Sequence, residues 1–285
     1  MADQKPKLRP LKAVGPRKVF ELKPELDRIA FEVEQRGFID DDPIGFMHQY
    51  SGKIDQELAG FFAAIMAWGR RDIVISKVGD ALQRMDHKPA TFIGNFSDSD
   101  ADALAGFKHR TFTDGDLYWL ITGLKRILDQ FGEFEAFWTS CYQQAQSAGI
   151  PLTHVFHRRF FDVIPEAPQR TGKHVSSSAK NSSCKRLWMY LRWCIRQNSP
   201  VDPGIMQFMP QSELMIPLDV HVGRYARSMG LLTRHQNDWK SVVELTERLR
   251  KLDPTDPAKY DFALFGMGVL DVGVADHLLI NRLDR

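Results

Sequence analysis

Apolar residues recur at three- and four-residue spacing from one end of the chain to the other, and runs that alternate every second residue are scarce. This spacing predicts an all-α protein built as a helical array. Helices are expected near 24–36, 55–69, 71–86, 114–131, 133–147, 151–163, 183–197, 219–229, 238–251 and 257–267, with a last one near 271–282. Two starts carry their own chemistry. Asp114 precedes the face formed by Leu117, Leu120, Ile121 and Leu124, and Asp256 followed by Pro257 offers a capping carboxylate with proline in the first turn.

Between these patterned stretches the segment 165–183, PEAPQRTGKHVSSSAKNSS, is poor in apolar residues and rich in serine, proline and lysine. It is expected to be a long loop. The chain then divides into a basic, flexible tail over 1–20, an N-terminal helical portion over 21–164, the loop, and a C-terminal helical portion over 184–285. The two helical portions are expected to pack as one unit. At 285 residues the chain can bury a large core without disulfides or metal.

Composition narrows the class. Apolar residues are 43% and charged residues 26%, the balance of an ordinary globular protein. The three cysteines, Cys141, Cys184 and Cys194, are odd in number and lack CxxC spacing, which argues against a secreted disulfide framework. No signal-peptide run and no apolar stretch of membrane-spanning length occurs, so no membrane association and a cytoplasmic location are expected. Net charge is only +2, so any nucleic-acid site must come from local clustering.

One such cluster spans 173–196. Within it Lys185, Met189, Arg192 and Arg196 fall at i, i+4, i+7 and i+11, which predicts a three-cation stripe beside the apolar face of Leu187, Leu191 and Cys194. A solvated basic face explains the stripe without any ligand. The helix start at Lys185 and Arg186 also suits an anion. About thirty residues on, Ile216-Pro217-Leu218 leads into Asp219 at a helix start, with His221 and Arg224 three apart behind it. Asp219 can be a capping residue and nothing more; the company of His221 and Arg224 is what a cap does not need.

The segments SCKRLWMYLRWCIR, MIPLDVHVGRYARSMGLLTR, QNDWK, KLDPTDPAKYDFALFGMG, DQELAGFFAAIMAWGRR and HRTFTDGDLYWLITGLKRIL resemble those of a bacterial family without assigned function that is similar to helix-hairpin-helix DNA glycosylases. In those enzymes a catalytic aspartate lies in an aliphatic-Asp-Thr-His-aliphatic-x-Arg segment, and Leu218-Asp219-Val220-His221-Val222-Gly223-Arg224 is similar, with Val220 for threonine. Lys185 followed by Pro217-Leu218-Asp219 is similar to the archaeal 8-oxoguanine glycosylase arrangement, in which an upstream lysine is the nucleophile.

The resemblance implies a DNA-repair enzyme acting on damaged duplex. Lys185 would attack the sugar C1′ and form a Schiff base, and Asp219 would stabilise the cationic sugar and move protons. The extruded base would stack on an aromatic such as Trp188, Trp193 or Trp68, each of which is otherwise a core tryptophan. Trp68 and Arg70, on a helix that lines the base pocket in glycosylases, are further candidates, as are Arg186, Arg192, Arg196, His221 and Arg224.

The family's apolar-Pro-Gly-aliphatic-Gly turn before the lysine is replaced by SSSAKNSSCK, so the hairpin is atypical. Three cysteines cannot hold the four-cysteine iron–sulfur cluster of some relatives. No cofactor and no metal are expected: His154 and His157 lack further ligands, and Asp40-Asp41-Asp42-Pro43 fits a solvated helix-entry loop. Two other readings stay open, a non-catalytic nucleic-acid-binding helical protein and a protein-binding scaffold whose partners are unknown.

Overall fold

The computed structural model describes residues 10–270 and 272–281. Its elements in chain order are α1 (Lys18–Glu21), α2 (Lys23–Val33), α3 (Gly45–His48), α4 (Lys53–Met66), α5 (Arg71–Gln83), α6 (Pro89–Asn95) and α7 (Ala101–Leu104). A small antiparallel hairpin follows, β1 (Lys108–His109) and β2 (Phe112–Thr113), in the register Lys108↔Thr113 and His109↔Phe112. Then come α8 (Asp114–Phe131), α9 (Phe134–Ala148), α10 (Leu152–Asp162), α11 (Lys185–Ile195), α12 (Val220–Ser228), α13 (Trp239–Leu252) and α14 (Tyr260–Val269). Among the described residues the fold is all-α apart from that hairpin, and no helix is long and apolar enough to cross a membrane.

The centre is α4, in which every residue from Glu57 to Met66 is buried. A helix apolar on all sides belongs inside a protein, and α3, α5, α6 and α11 pack around this one. Phe61 of α4 meets Phe134, Phe156 and Tyr190 edge to face with centroids 5.4, 6.2 and 5.7 Å away. Each such ring contributes about 1.5–3 kcal/mol through burial.

Two predicted caps move. Thr113, not Asp114, starts α8, through a capping box in which the Thr113 N–H donates to Asp116 Oδ2 at 3.0 Å. Asp114 instead accepts from the Gly106 N–H. Asp256 makes no cap hydrogen bond, because its carboxylate is engaged by Arg196.

The predicted loop 165–183 is more ordered than its composition suggests. It carries 3₁₀ turns at Gln169–Lys173 and Ser178–Lys180, and Thr171, His174, Val175, Ser177 and Ser178 are buried. Hydroxyl groups do the packing that apolar side chains do elsewhere: Thr171 donates to Asp116 at 2.8 Å and Thr153 to Ser178 at 3.0 Å.

The expected division at 165–183 is bridged in space, since α2 of the N-terminal portion packs along α14 of the C-terminal one. Of the expected basic tail, residues 1–9 lie outside the described residues. The Lys12 N–H donates to Asn281 Oδ1 at 2.9 Å, and the Val14 N–H to the Gly230 carbonyl at 3.0 Å. Gly230 has φ +71, and a Cβ there would lie 2.7 Å from Val14 N and 2.8 Å from Lys12 O. Segments 12–14 and 280–281 thus clasp over one glycine at the end of α12. Of the helix expected near 271–282, residues 271 and 282 lie outside the described residues, and between them there is only the 3₁₀ turn Asp276–Leu278.

The α2–α14 contact depends on Gly266, whose added Cβ would collide with Val33 Cγ2 and come within 3.3 Å of Val33 Cβ. Val33 is buried and β-branched, so it cannot turn aside. Gly266→Ala gains about 1 kcal/mol of helix propensity but incurs an overpacking cost at the upper end of about 1–3 kcal/mol. A lowered urea midpoint is expected, and a raised one would show that the interface has room.

Candidate active site

A cavity of about 300 Å³ opens where α2's following loop, the α4–α5 turn, α11, α12 and α14 converge. That size lies at the small end of ligand pockets. Lys185, the first residue of α11, lines it together with Met189 and Arg192 one and two turns on. Cys184, in the left-handed region at φ 50, turns the chain into that helix.

The entry to α12 contributes Pro217, Asp219 and His221. Asp219 is the N-cap of α12: its Oδ1 accepts the Val222 N–H at 2.9 Å, and its carbonyl accepts from Asn237 Nδ2 at 2.8 Å. Gly223 lets Asn237 and Arg227 approach, since a Cβ there would lie 2.6 Å from Asn237 Oδ1. Lys185 and Asp219 therefore face one cavity, and no ion pair joins them among the described residues. A substrate group can stand between them.

α14 supplies Asp261, Phe262 and Phe265. Phe38 meets both rings edge-on, with centroids at 5.4 and 6.0 Å. The Arg192 guanidinium lies over Phe262 at 4.2 Å, and that of Arg71 over Phe265 at 5.5 Å. The lining is thus partly aromatic and partly charged. Burial, opposed by Arg192 and aided by neighbouring Asp219, raises the Asp261 carboxyl to about 6. The Asp42 carboxyl is also raised by burial, opposed by its hydrogen bond from the Ile44 N–H and by Arg192, Arg71 and Lys185.

Because its folded pKa lies above the unfolded value, Asp261 contributes stability that is present below about pH 4 and lost as pH rises through about 6. Asp261→Asn resembles the protonated acid at every pH. The stability of wild type relative to this variant is expected to fall by about 2–2.5 kcal/mol between pH 4 and 7. Urea titrations at stepped pH measure it, and a flat difference would contradict it.

Other expected site residues lie elsewhere. The predicted cation stripe is not solvated: Arg192 and Arg196 are each 4% exposed. Arg192 pairs with Asp261 and with Asp202 at 3.2 Å. Arg196 pairs with Asp202 at 2.6 Å, Glu34 at 2.7 Å and Asp256 at 3.0 Å. Past its first turn α11 runs into the core, and carboxylates distant in sequence meet the arginines there. Arg192 still lines the cavity; Arg196 does not.

Arg186 covers Trp68 at 4.8 Å and donates to the Ile65 carbonyl. Trp68 packs on His109 at 4.4 Å, and Trp188 stacks on Trp239 at 6.2 Å beside a separate groove. Neither lines the cavity, whereas Trp193 borders it. Arg70 is exposed and paired with Asp72 at 2.6 Å, and the next residue, Arg71, takes the cavity position. Arg224 lies over its neighbour Tyr225, outside the lining. Asp42, expected in a solvated acidic loop, is part of the wall.

Phe38, Asp42, Arg71, Asp261, Phe262 and Phe265 were not expected at the site. One signal for Asp261 was available, a carboxylate inside the apolar run of α14. His157 Nδ1 is bonded to the Val175 carbonyl, and no cluster of three or more metal-ligating side chains occurs among the described residues. Cys141, Cys184 and Cys194 are free and buried.

A family model described as a protein of unknown function (DUF2400) matches residues 42–270. No curated protein and no solved structure matches the chain.

Proposed function

We propose that this chain, which belongs to the DUF2400 family of proteins of unknown function, is a DNA base-excision glycosylase with lyase activity and a glycosylase-type helical array with an atypical hairpin. The observation that carries the reading is the shared cavity of Lys185 and Asp219, with no ion pair between them to occupy the space. In the glycosylase arrangement a nucleophile and a carboxylate must address one sugar carbon from different sides.

In this mechanism a nucleotide leaves the stack and its base enters against the aromatic part of the lining, Phe38, Phe262 and Phe265. The Lys185 nitrogen attacks C1′ through its lone pair; the glycosidic electron pair leaves with the base, which takes up a proton. Asp219 faces the positive charge that develops on the sugar and accepts the proton released by the amine. Opening of the sugar ring gives an iminium between Lys185 Nζ and C1′, and loss of a C2′ proton then expels the 3′ phosphate. Asp261 and Arg192 belong to the charged part of the lining.

Trapping tests the reading directly. Borohydride reduces the iminium to a stable amine, so wild-type protein incubated with lesion-bearing duplex is expected to yield a covalent protein–DNA adduct. Failure to trap or cleave across a broad lesion panel would sink it. A reducing, cytoplasmic setting accords with the free cysteines.

A further inference from the structure

Outside the cavity, four exposed basic residues gather from two elements distant in sequence: Lys108 and Arg110 of the β1–β2 hairpin, and Arg170 and Lys173 of the 3₁₀ turn Gln169–Lys173. Direct contacts join them to the α4–α5 turn. Arg110 lies against Gly69, where a Cβ would come within 2.6 Å of its Nη1, and Gly69 itself lines the cavity. Arg170 donates to the Thr111 carbonyl at 3.0 Å and to Thr113 Oγ1 at 3.2 Å, which pins the hairpin to the 3₁₀ turn. Arg186 reaches the Lys173 carbonyl at 3.4 Å while covering Trp68, and Trp68 packs on His109 of the hairpin. Hairpin, 3₁₀ turn and cavity rim therefore form one surface.

Of the acids nearby, Asp114 accepts the Gly106 N–H and two others are ion-paired. Asp116 is buried and paired with Arg170 at 3.0 Å, and Asp72 is paired with Arg70. Lys108, Arg110 and Lys173 take part in no ion pair among the described residues. Arg110 sits exposed at the hairpin tip with φ 55. In a chain of net charge +2, three unpaired cations on the hairpin and on the 3₁₀ turn bonded to it are a local concentration rather than an average property.

We propose that the patch of Lys108, Arg110 and Lys173 grips the DNA phosphate backbone beside the nucleotide that enters the cavity. The proposal rests on the reading of the cavity as a base pocket. A strand that sends one base inward must carry its flanking phosphates over the rim, and the patch adjoins that rim at Gly69. Backbone contacts of this kind set register and orientation without reading sequence. Each phosphate neutralised in duplex DNA releases counterion and adds about 0.9 to the slope of log affinity against log salt.

The test uses the full chain with the three substitutions Lys108→Gln, Arg110→Asn and Lys173→Gln combined; asparagine tolerates the left-handed conformation of position 110. Lys251→Gln, on the exposed last turn of α13, is the control. Binding to a labelled duplex with one abasic site and to its undamaged counterpart is measured over a range of salt, with unchanged melting temperature as the check on folding. The triple variant is expected to lose about tenfold or more in affinity for both duplexes and to show a slope shallower by about two to three, while the control matches wild type.

An unchanged affinity and slope overturns the proposal. So does wild-type protein that binds neither duplex, or patch-dependent binding of an RNA of the same sequence that is tighter than that of either duplex. Wild-type protein that binds DNA through the patch but is never trapped by borohydride supports the surface and removes the lyase chemistry, so the two readings fail separately.

Discussion

Lys185→Gln is expected to abolish the borohydride-trapped adduct and to lower strand cleavage about 10³-fold or more. Glutamine keeps most of the side chain's length, but its amide nitrogen cannot form an iminium. The exchange occurs at the first residue of α11, where glutamine is as good a helix former as lysine, so the fold should be unaffected. Asp219→Asn makes the complementary test. Asparagine caps a helix as well as aspartate does, so the bond to the Val222 N–H survives while the carboxylate facing the cavity is lost. A fall of about 10²–10³ in kcat is expected. Asp219→Ala adds a stability loss of about 1 kcal/mol because the cap goes too. An adduct that persists in Lys185→Gln places the nucleophile elsewhere, and full activity in Asp219→Asn leaves that residue as a cap alone.

The largest stability effect is expected at Arg196. Two guanidiniums, of Arg192 and Arg196, stand among four carboxylates, of Glu34, Asp202, Asp256 and Asp261. Burial is the main cause of the raised carboxyls of Asp256 and Asp261, and acidic neighbours add to it against the pull of the arginines. Arg196→Met strips Glu34, Asp202 and Asp256 of a shared partner in a place where Arg196 is 4% exposed. Orphaning buried charge in this way costs about 3–5 kcal/mol. Urea denaturation at neutral pH measures it, and the deficit should narrow on acidification, because protonation removes the orphaned charge. A loss under about 1 kcal/mol would mean that the carboxylates find water or protons without the arginine.

This network also marks where sequence reasoning stops. The spacing of Lys185, Arg192 and Arg196 tells which residues share a side of α11, and it does so correctly. It does not tell what that side meets, because Glu34, Asp202, Asp256 and Asp261 reach it only through the fold. The long helices α4, α8 and α13 were legible from period alone, whereas α1, α3 and α7, each of four residues, are too short to show one. Asp219 stood out through the company of His221 and Arg224, and Lys185 through its spacing to that segment and its place at a basic helix start. Phe38, Phe262 and Phe265 did not, since an aromatic in a helical pattern looks the same whether it fills a core or walls a cavity. Asp42 was hidden differently, inside a run of acids next to proline that fits any solvated turn.

The clasp over Gly230 bears on how well Asp219 is held. α12 is fixed at its start by Asn237 on the Asp219 carbonyl, and at its finish by segments 12–14 and 280–281. Mechanically it is a beam supported at both ends, not a cantilever swinging from one. The carboxylate at its tip therefore takes its position from segments more than 200 residues apart in the chain, and slack at the far support would be felt as drift at the sugar.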